Sequence, residues 1–299
     1  MPLSITRFFW KLVAASCLVT ALSTHANAQD AAKSDWRAGV QALLQKLDST
    51  TPNITLVLQQ ERPHVWRVVY SRPGDNRYFD LQRQQRLTLD ALQNDWANLA
   101  RYRDANAKLA PPARNENRVV FIGNSITEGW AQFFPTMFPG RPYINRGIGG
   151  QTTPQMVVRF RQDVVALKPK AVVILAGIND IAGNTGPSTL EMIEDNLQAM
   201  TEMAKANGIR VVLSSVLPAY DFPWRPAMDP APKVVALNAW IKDYAAKVGA
   251  IYLDYHSAMA DARQGMREGL SSDGVHPTEA GYRIMAPLAE KAIDKALRR

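Results

Sequence analysis

From residue 118 onward, short apolar runs rich in β-branched residues alternate with segments whose apolar positions recur at helical spacing. The runs are RVVFIG (118–123), PYIN (142–145), AVVILAG (171–177), RVVLSSV (210–216) and AIYLDY (250–255). The clearest helical stretch covers 189–206, where Leu190, Ile193, Leu197, Met200 and Met203 return every three or four residues, the period of one helix face. STLE at 188–191 reads as a capping box in front of it, the serine bonding forward and Glu191 reaching back. Strands alternating with helices predict an α/β fold with a parallel sheet covered on both faces. Uninterrupted apolar strands agree, because they suit burial from both sides. In such a sheet, ligands bind beyond the carboxyl ends of the strands.

The pattern is weaker before residue 118. DWRAGVQALLQKLD (35–48) places Trp36, Val40, Leu43, Leu44 and Leu47 on one helix face. ITLVLQQ and HVWRVVY read as strands on either side of a proline-containing break. Residues 90–110 predict a helix, and PPARNEN (111–117) a linker. The expected organisation is an N-terminal extension or small subdomain over 29–110 and a main domain over 117–299. The first 28 residues form a leader. Arg7 and Lys11 precede the apolar stretch LVAASCLVTAL (12–22), which is too short to span a bilayer, and Ala26-Asn27-Ala28 has the small-x-small form of a cleavage site. The expected mature chain starts at Gln29 and is secreted or periplasmic, with no stable membrane insertion.

Composition narrows the chemistry. Cys17 is the only cysteine and lies in the leader, so thiol catalysis, thiolate metal sites and disulfides are excluded from the mature chain. Losing Arg7 and Lys11 lowers the formal net charge of +8 by two, to +6. The remaining basic residues are scattered, without blocks or interleaved aromatics, which argues against nucleic acid as a partner. No grouping of metal ligands is visible, so no metal site is expected.

Three of the strand-end loops carry unusual polar residues: Gly123-Asn124-Ser125, NRGIGGQTT (145–153) and GIND (177–180). A serine hydroxyl is a weak nucleophile unless a base sits within hydrogen-bond reach and a third group orients that base. Serine after a strand also serves as a helix N-cap. The favoured base is His276 in SSDGVHPTEAGY (271–282). Asp273 stands three residues before it, and Pro277 disfavours helical geometry at the histidine while suiting a first helical position. The rival base is His256, two residues after Asp254, where strand alternation would point the two side chains apart. Acyl transfer also needs donors aimed at the developing oxyanion. Candidates are the backbone N–H of Ser125, that of Gly150, where no side chain intervenes, and the side-chain amide of Asn179.

These residues resemble the four blocks of the SGNH, or GDSL-like, serine hydrolases: GNS after the first strand, the glycine of GIGGQT, the asparagine of GIND, and DGVH near the C-terminus. The resemblance covers about residues 117 to 298. It implies a three-layer α/β/α sandwich with a five-stranded, flavodoxin-like parallel sheet, no cofactor, and hydrolysis of acyl esters. By this resemblance Ser125, Asp273 and His276 are the catalytic triad, and Ser125, Gly150 and Asn179 form the oxyanion hole. Asn124 departs from the usual aspartate, keeping a hydrogen-bonding oxygen without the charge.

Family members cleave sugar acetates, lysophospholipids, thioesters and aryl esters. The motifs do not choose among these, although an exported enzyme would not meet coenzyme A thioesters. LPAYDFPWRP (217–226) offers Tyr220 and Trp224 as substrate-binding residues, alongside Asn124. The expected substrate is an acetyl ester on a carbohydrate. Alternatives are a lysophospholipase or arylesterase of the same family, or an inactive glycan-binding protein on this fold.

Overall fold

The computed structural model describes residues 55–62, 65–71 and 94–298. The chain divides into two compact units, Met1–Leu89 and Asp90–Arg299. In the first, β1 (Thr55–Arg62) and β2 (Val65–Ser71) pair antiparallel; these are the strands read from ITLVLQQ and HVWRVVY. The leader and the helix read over 35–48 lie outside the described residues.

The second unit is built on five parallel strands: β3 (Val119–Gly123), β4 (Tyr143–Gly147), β5 (Ala171–Leu175), β6 (Arg210–Ser214) and β7 (Ile251–Leu253), in the order β4-β3-β5-β6-β7. Each begins within one residue of a run read from the sequence. Every residue of β3 and β5 is buried, as expected for strands covered on both faces. The helices are α1 (Arg103–Lys108), α2 (Ser125–Trp130), α3 (Phe134–Met137), α4 (Thr153–Asp163), α5 (Ile178–Ile181), α6 (Leu190–Ala206), α7 (Pro230–Val248), α8 (His256–Met259) and α9 (Glu279–Leu297). Helices α4, α6 and α7 lie side by side in one layer, while α2 and α9 cover the strands in the other. The predicted α/β/α sandwich is the observed fold.

Aromatic residues seal the layer of α2 and α9. Phe121 of β3 meets Trp130, Phe134, Phe138 and Tyr143 at ring-centroid distances of 5.1–5.8 Å. Trp130 stacks on Tyr282 of α9 at 5.4 Å. Fully burying side chains of this size stabilises the fold by about 1.5–3 kcal/mol each. The Tyr282 hydroxyl then donates to the Ile126 carbonyl at 2.8 Å, tying α9 to the first turn of α2. That tie matters because α2 begins at Ser125 and His276 lies just ahead of α9.

Two local expectations need correction. The helix read over 90–110 is helical only at Arg103–Lys108 within 95–110. Asp95 accepts from the backbone N–H groups of Leu99 and Ala100, both at 2.8 Å, and Asn98 adopts a positive φ of 53°. An aspartate that binds nearby backbone donors offers the chain an alternative to helix. The cap of α6 falls on Thr189, whose side chain accepts from Met192 N, one residue later than the serine of STLE.

Residues 94–116 belong to the second unit, ahead of the residue 117 start read from the sequence. They are fastened to α4 and its approach by side-chain amides. Gln151, Gln155 and Gln162 each donate at 2.7 Å, to the carbonyls of Ala97, Trp96 and Leu99 respectively. Asn106 donates to Asp163 at 2.7 Å, and the Tyr102 hydroxyl to the Gly147 carbonyl.

Candidate active site

The parallel register sets Gly123 opposite Gly147 and Leu175, so β3, β4 and β5 end level with one another. The loops that follow carry Ser125, Gly150 and Asn179. Ser125 is the first helical residue of α2, and Asn124, not Ser125, is the N-cap: its Oδ1 accepts from Ile126 N at 3.0 Å. Asn124 is 1% exposed. Its side chain therefore serves the helix terminus and has no surface to offer a substrate, a correction to the substrate-binding role read from the sequence.

The Ser125 Oγ lies 2.8 Å from Nε2 of His276, and Nδ1 of His276 lies 2.6 Å from Oδ2 of Asp273. The segment holding the histidine is a tight turn. Asp273 Oδ1 accepts from the backbone N–H of Val275 at 2.9 Å and of His276 at 2.8 Å, and from the Ser271 hydroxyl at 3.1 Å. Gly274 supplies the positive φ of 84° that the turn requires. The N-cap of α9 is Thr278, so Pro277 precedes the helix instead of opening it. Burial alone would raise the Asp273 carboxyl. The hydrogen bonds from His276 and Val275, with the charge of the imidazole when protonated, outweigh it and bring the carboxyl down to about 2. Asp273 therefore stays ionised to strongly acid pH.

His256 stands elsewhere. It opens α8, is buried, and its Nε2 has no hydrogen-bond partner. Burial lowers its pKa. Asp254 spends both oxygens on Ser257, at 2.9 and 2.7 Å. The structure brings Ser125 to His276, and not to the rival.

The oxyanion candidates are held by their own bonds. Gly150 has a φ of 75° and open space where a Cβ would stand, so backbone geometry and not crowding favours glycine there. Gly149 N donates to Glu128 Oε2 at 2.8 Å, and Glu128 pairs with Arg101 at 3.0 Å. At Gly147 a Cβ would lie 2.1 Å from Glu128 N; only glycine lets this loop run against α2. Asn179 is 4% exposed, and its Nδ2 donates to the Gln151 carbonyl at 2.9 Å, which fixes the plane of the amide.

Next to Asn179, Asp180 accepts from Thr153 N at 3.0 Å and from the Thr153 hydroxyl at 2.6 Å. Burial raises its carboxyl to about 6 despite these bonds. The folded state thus holds the Asp180 proton more tightly than the unfolded state does. The resulting stabilisation is fully present below about pH 4 and is lost as pH rises through about 6. Wild type is expected to lose on the order of 2–3 kcal/mol between pH 4 and 7 that Asp180→Asn does not lose. Urea unfolding of both proteins across that range checks this, and parallel stability profiles would contradict it.

Of the two aromatic candidates, Trp224 reaches His276. Its ring centre lies 6.0 Å from that of His276, it is 39% exposed, and buried Phe222 stacks behind it at 5.3 Å. Tyr220 instead stacks under the Arg263 guanidinium at 4.8 Å. Sequence reasoning missed Arg101, Glu128, Gln151 and Arg159, which brace the loop that carries Gly150. The last two had a readable signal: Gln151, Gln155, Arg159 and Asp163 recur every four residues.

A five-stranded parallel sheet between two helical layers, with its polar loops gathered at one end, is an architecture that hosts many chemistries, and the family match narrows them. Residues 121–284 match the model of the GDSL-like lipase/acylhydrolase family. The chain belongs to that family. It is similar to the crystal structure of a GDSL-like lipase from Bacteroides thetaiotaomicron VPI-5482, with a TM-score of 0.66 and 47% identity, covering 68% of this chain and 100% of the other. It is 26% identical over 205 residues to an acetylxylan esterase of Geobacillus stearothermophilus, covering 56% of this chain and 90% of that protein. It is 31% identical over 122 residues to the uncharacterized lipoprotein YqeF of Bacillus subtilis, 35% of this chain; the match spans only half of that relative's length. No helix among the described residues is long and apolar enough to cross a membrane.

Proposed function

We propose that the protein is a serine esterase that removes short acyl groups, acetyl foremost, from a carbohydrate through an acyl-enzyme intermediate. The observation that carries this reading is the unbroken chain from Ser125 Oγ through the His276 ring to Asp273. Ser125 attacks the ester carbonyl while His276 Nε2 takes its proton. Asp273 holds the ring by Nδ1 and stabilises the imidazolium. The tetrahedral oxyanion is held by the backbone N–H groups of Ser125 and Gly150 and by the Asn179 amide. As the carbon–oxygen bond breaks, His276 returns the proton to the departing alcohol. Water, deprotonated by the same ring, then attacks the acyl-serine; the acid leaves and the serine regains its proton.

The carbohydrate assignment is supported by Trp224, a half-exposed ring braced from behind and set beside His276, where a sugar ring can stack. The acetylxylan esterase relative supports the acetyl group. Release of acetate from a panel of acetylated polysaccharides, together with an acyl-chain-length series on a chromogenic ester, tests both parts. Acetate release and a preference for two-carbon acyl groups are expected. A strong preference for long chains, or turnover of lysophospholipid but no glycan, would replace the substrate. No hydrolysis of any ester would leave a glycan-binding role. The leader further supports export, with the mature chain starting at Gln29; intact-mass measurement of the exported protein tests that, and an N-terminus at Met1 would contradict it.

A further inference from the structure

Arg159 of α4 is completely buried, an unusual place for a guanidinium. Its charge is balanced by Asp163 at 3.1 Å. The rest of its fork is spent on three segments of the site. Nη2 donates to the Gly123 carbonyl at 3.0 Å, two residues before Ser125. Nη1 donates to the Arg146 carbonyl at 2.8 Å, at the end of β4. Nε donates to the Gln151 side-chain oxygen at 2.6 Å, one residue after Gly150. Gln151 continues the chain. Its backbone carbonyl receives the Asn179 amide at 2.9 Å, and its side-chain nitrogen donates to Ala97 at 2.7 Å.

One planar cation is therefore linked, directly or through Gln151, to the surroundings of each proposed oxyanion donor. It touches the approach to Ser125 and the residue after Gly150, and through Gln151 it reaches the Asn179 side chain. We infer that Arg159 is a positioning residue for acyl transfer, which acts through Gln151 and two backbone carbonyls to fix the three oxyanion donors relative to one another. The inference rests on the reading of Ser125 as nucleophile. The chemistry suits the task. Guanidinium presents five donors in a rigid plane, whereas a lysine ammonium is a compact point charge with three. A buried ion pair is weak evidence for stability, because apolar residues of similar volume often do as well. The divergence of its bonds onto the ends of β3 and β4 and onto the loop after β4 argues for geometry as the role. Donors displaced by about an ångström stabilise an oxyanion poorly, at a cost of up to about a hundredfold in rate.

The test compares Arg159→Lys and Gln151→Met with Gln162→Ala. Gln162 makes the same kind of side-chain bond from α4 to Leu99 but is not among the hydrogen-bond partners of Arg159. Four quantities are measured: kcat and KM on a chromogenic acetate ester, affinity for a trifluoromethyl ketone that forms a tetrahedral adduct, and Tm. In Arg159→Lys and Gln151→Met, kcat is expected to fall about ten- to a hundredfold with KM within about threefold. Ketone affinity should weaken by a similar factor. Gln162→Ala is expected to lower Tm without changing kcat. If Arg159→Lys does not fold, Gln151→Met decides. Folded variants with wild-type kcat and ketone affinity would overturn the inference, as would failure of both to fold, which would assign the network to stability. An inactive wild type, or Ser125→Ala with full activity, would instead sink the proposed function, a different result from an active enzyme indifferent to Arg159.

Discussion

Ser125→Ala is expected to lower turnover of a chromogenic acetate ester by about 10⁴-fold or more, with no loss of fold. The size follows from chemistry that no neighbour can replace. Without the hydroxyl there is no acyl-enzyme, and the His276 ring has no proton to move from it. The loss should fall on kcat, because the groups that bind substrate are untouched. Helix α2 should survive, since its cap is Asn124 and alanine suits a first helical turn. Steady-state kinetics alongside circular dichroism check this; a folded variant with wild-type turnover would contradict it.

His276→Ala is expected to be nearly as damaging, and the double variant Ser125→Ala/His276→Ala no worse than either alone. Groups that act as one unit give non-additive losses. His256→Ala serves as the comparison and is expected to keep turnover within a few-fold. His256 Nε2 is buried without a partner and its backbone N–H bonds Ser215 at 2.9 Å, an attachment that alanine preserves. Loss of activity in His256→Ala with activity retained in His276→Ala would reverse the assignment of the base.

The sheet was legible because buried parallel strands write themselves as continuous apolar runs, and all five runs became strands. The three polar loops stood out because they follow successive strands that end level with one another, although each residue also has a local reading, such as the cap at Asn124. Asp273 and His276 were within reach because they are close in sequence and a tight turn joins them. The supporting groups were harder. The row Gln151, Gln155, Arg159, Asp163 has helical spacing, but a polar row normally faces water, and only the fold shows that residues 94–106 cover it. The broken helix at 95–102 was missed because Asp95 competes for backbone donors, an effect that periodicity does not register. Asn124 looks substrate-facing in the sequence because it adjoins Ser125, but its neighbours in space make it a buried cap.

The proposed mechanism requires a covalent acyl group to pass through Ser125. Rapid acid quench during turnover of an acetate ester, followed by peptide mass spectrometry, tests it most directly. One acetyl increment is expected on the peptide that carries Ser125, appearing within the first turnover and absent from Ser125→Ala. Brisk turnover with the acetyl on another residue, or with the same increment in Ser125→Ala, would contradict it.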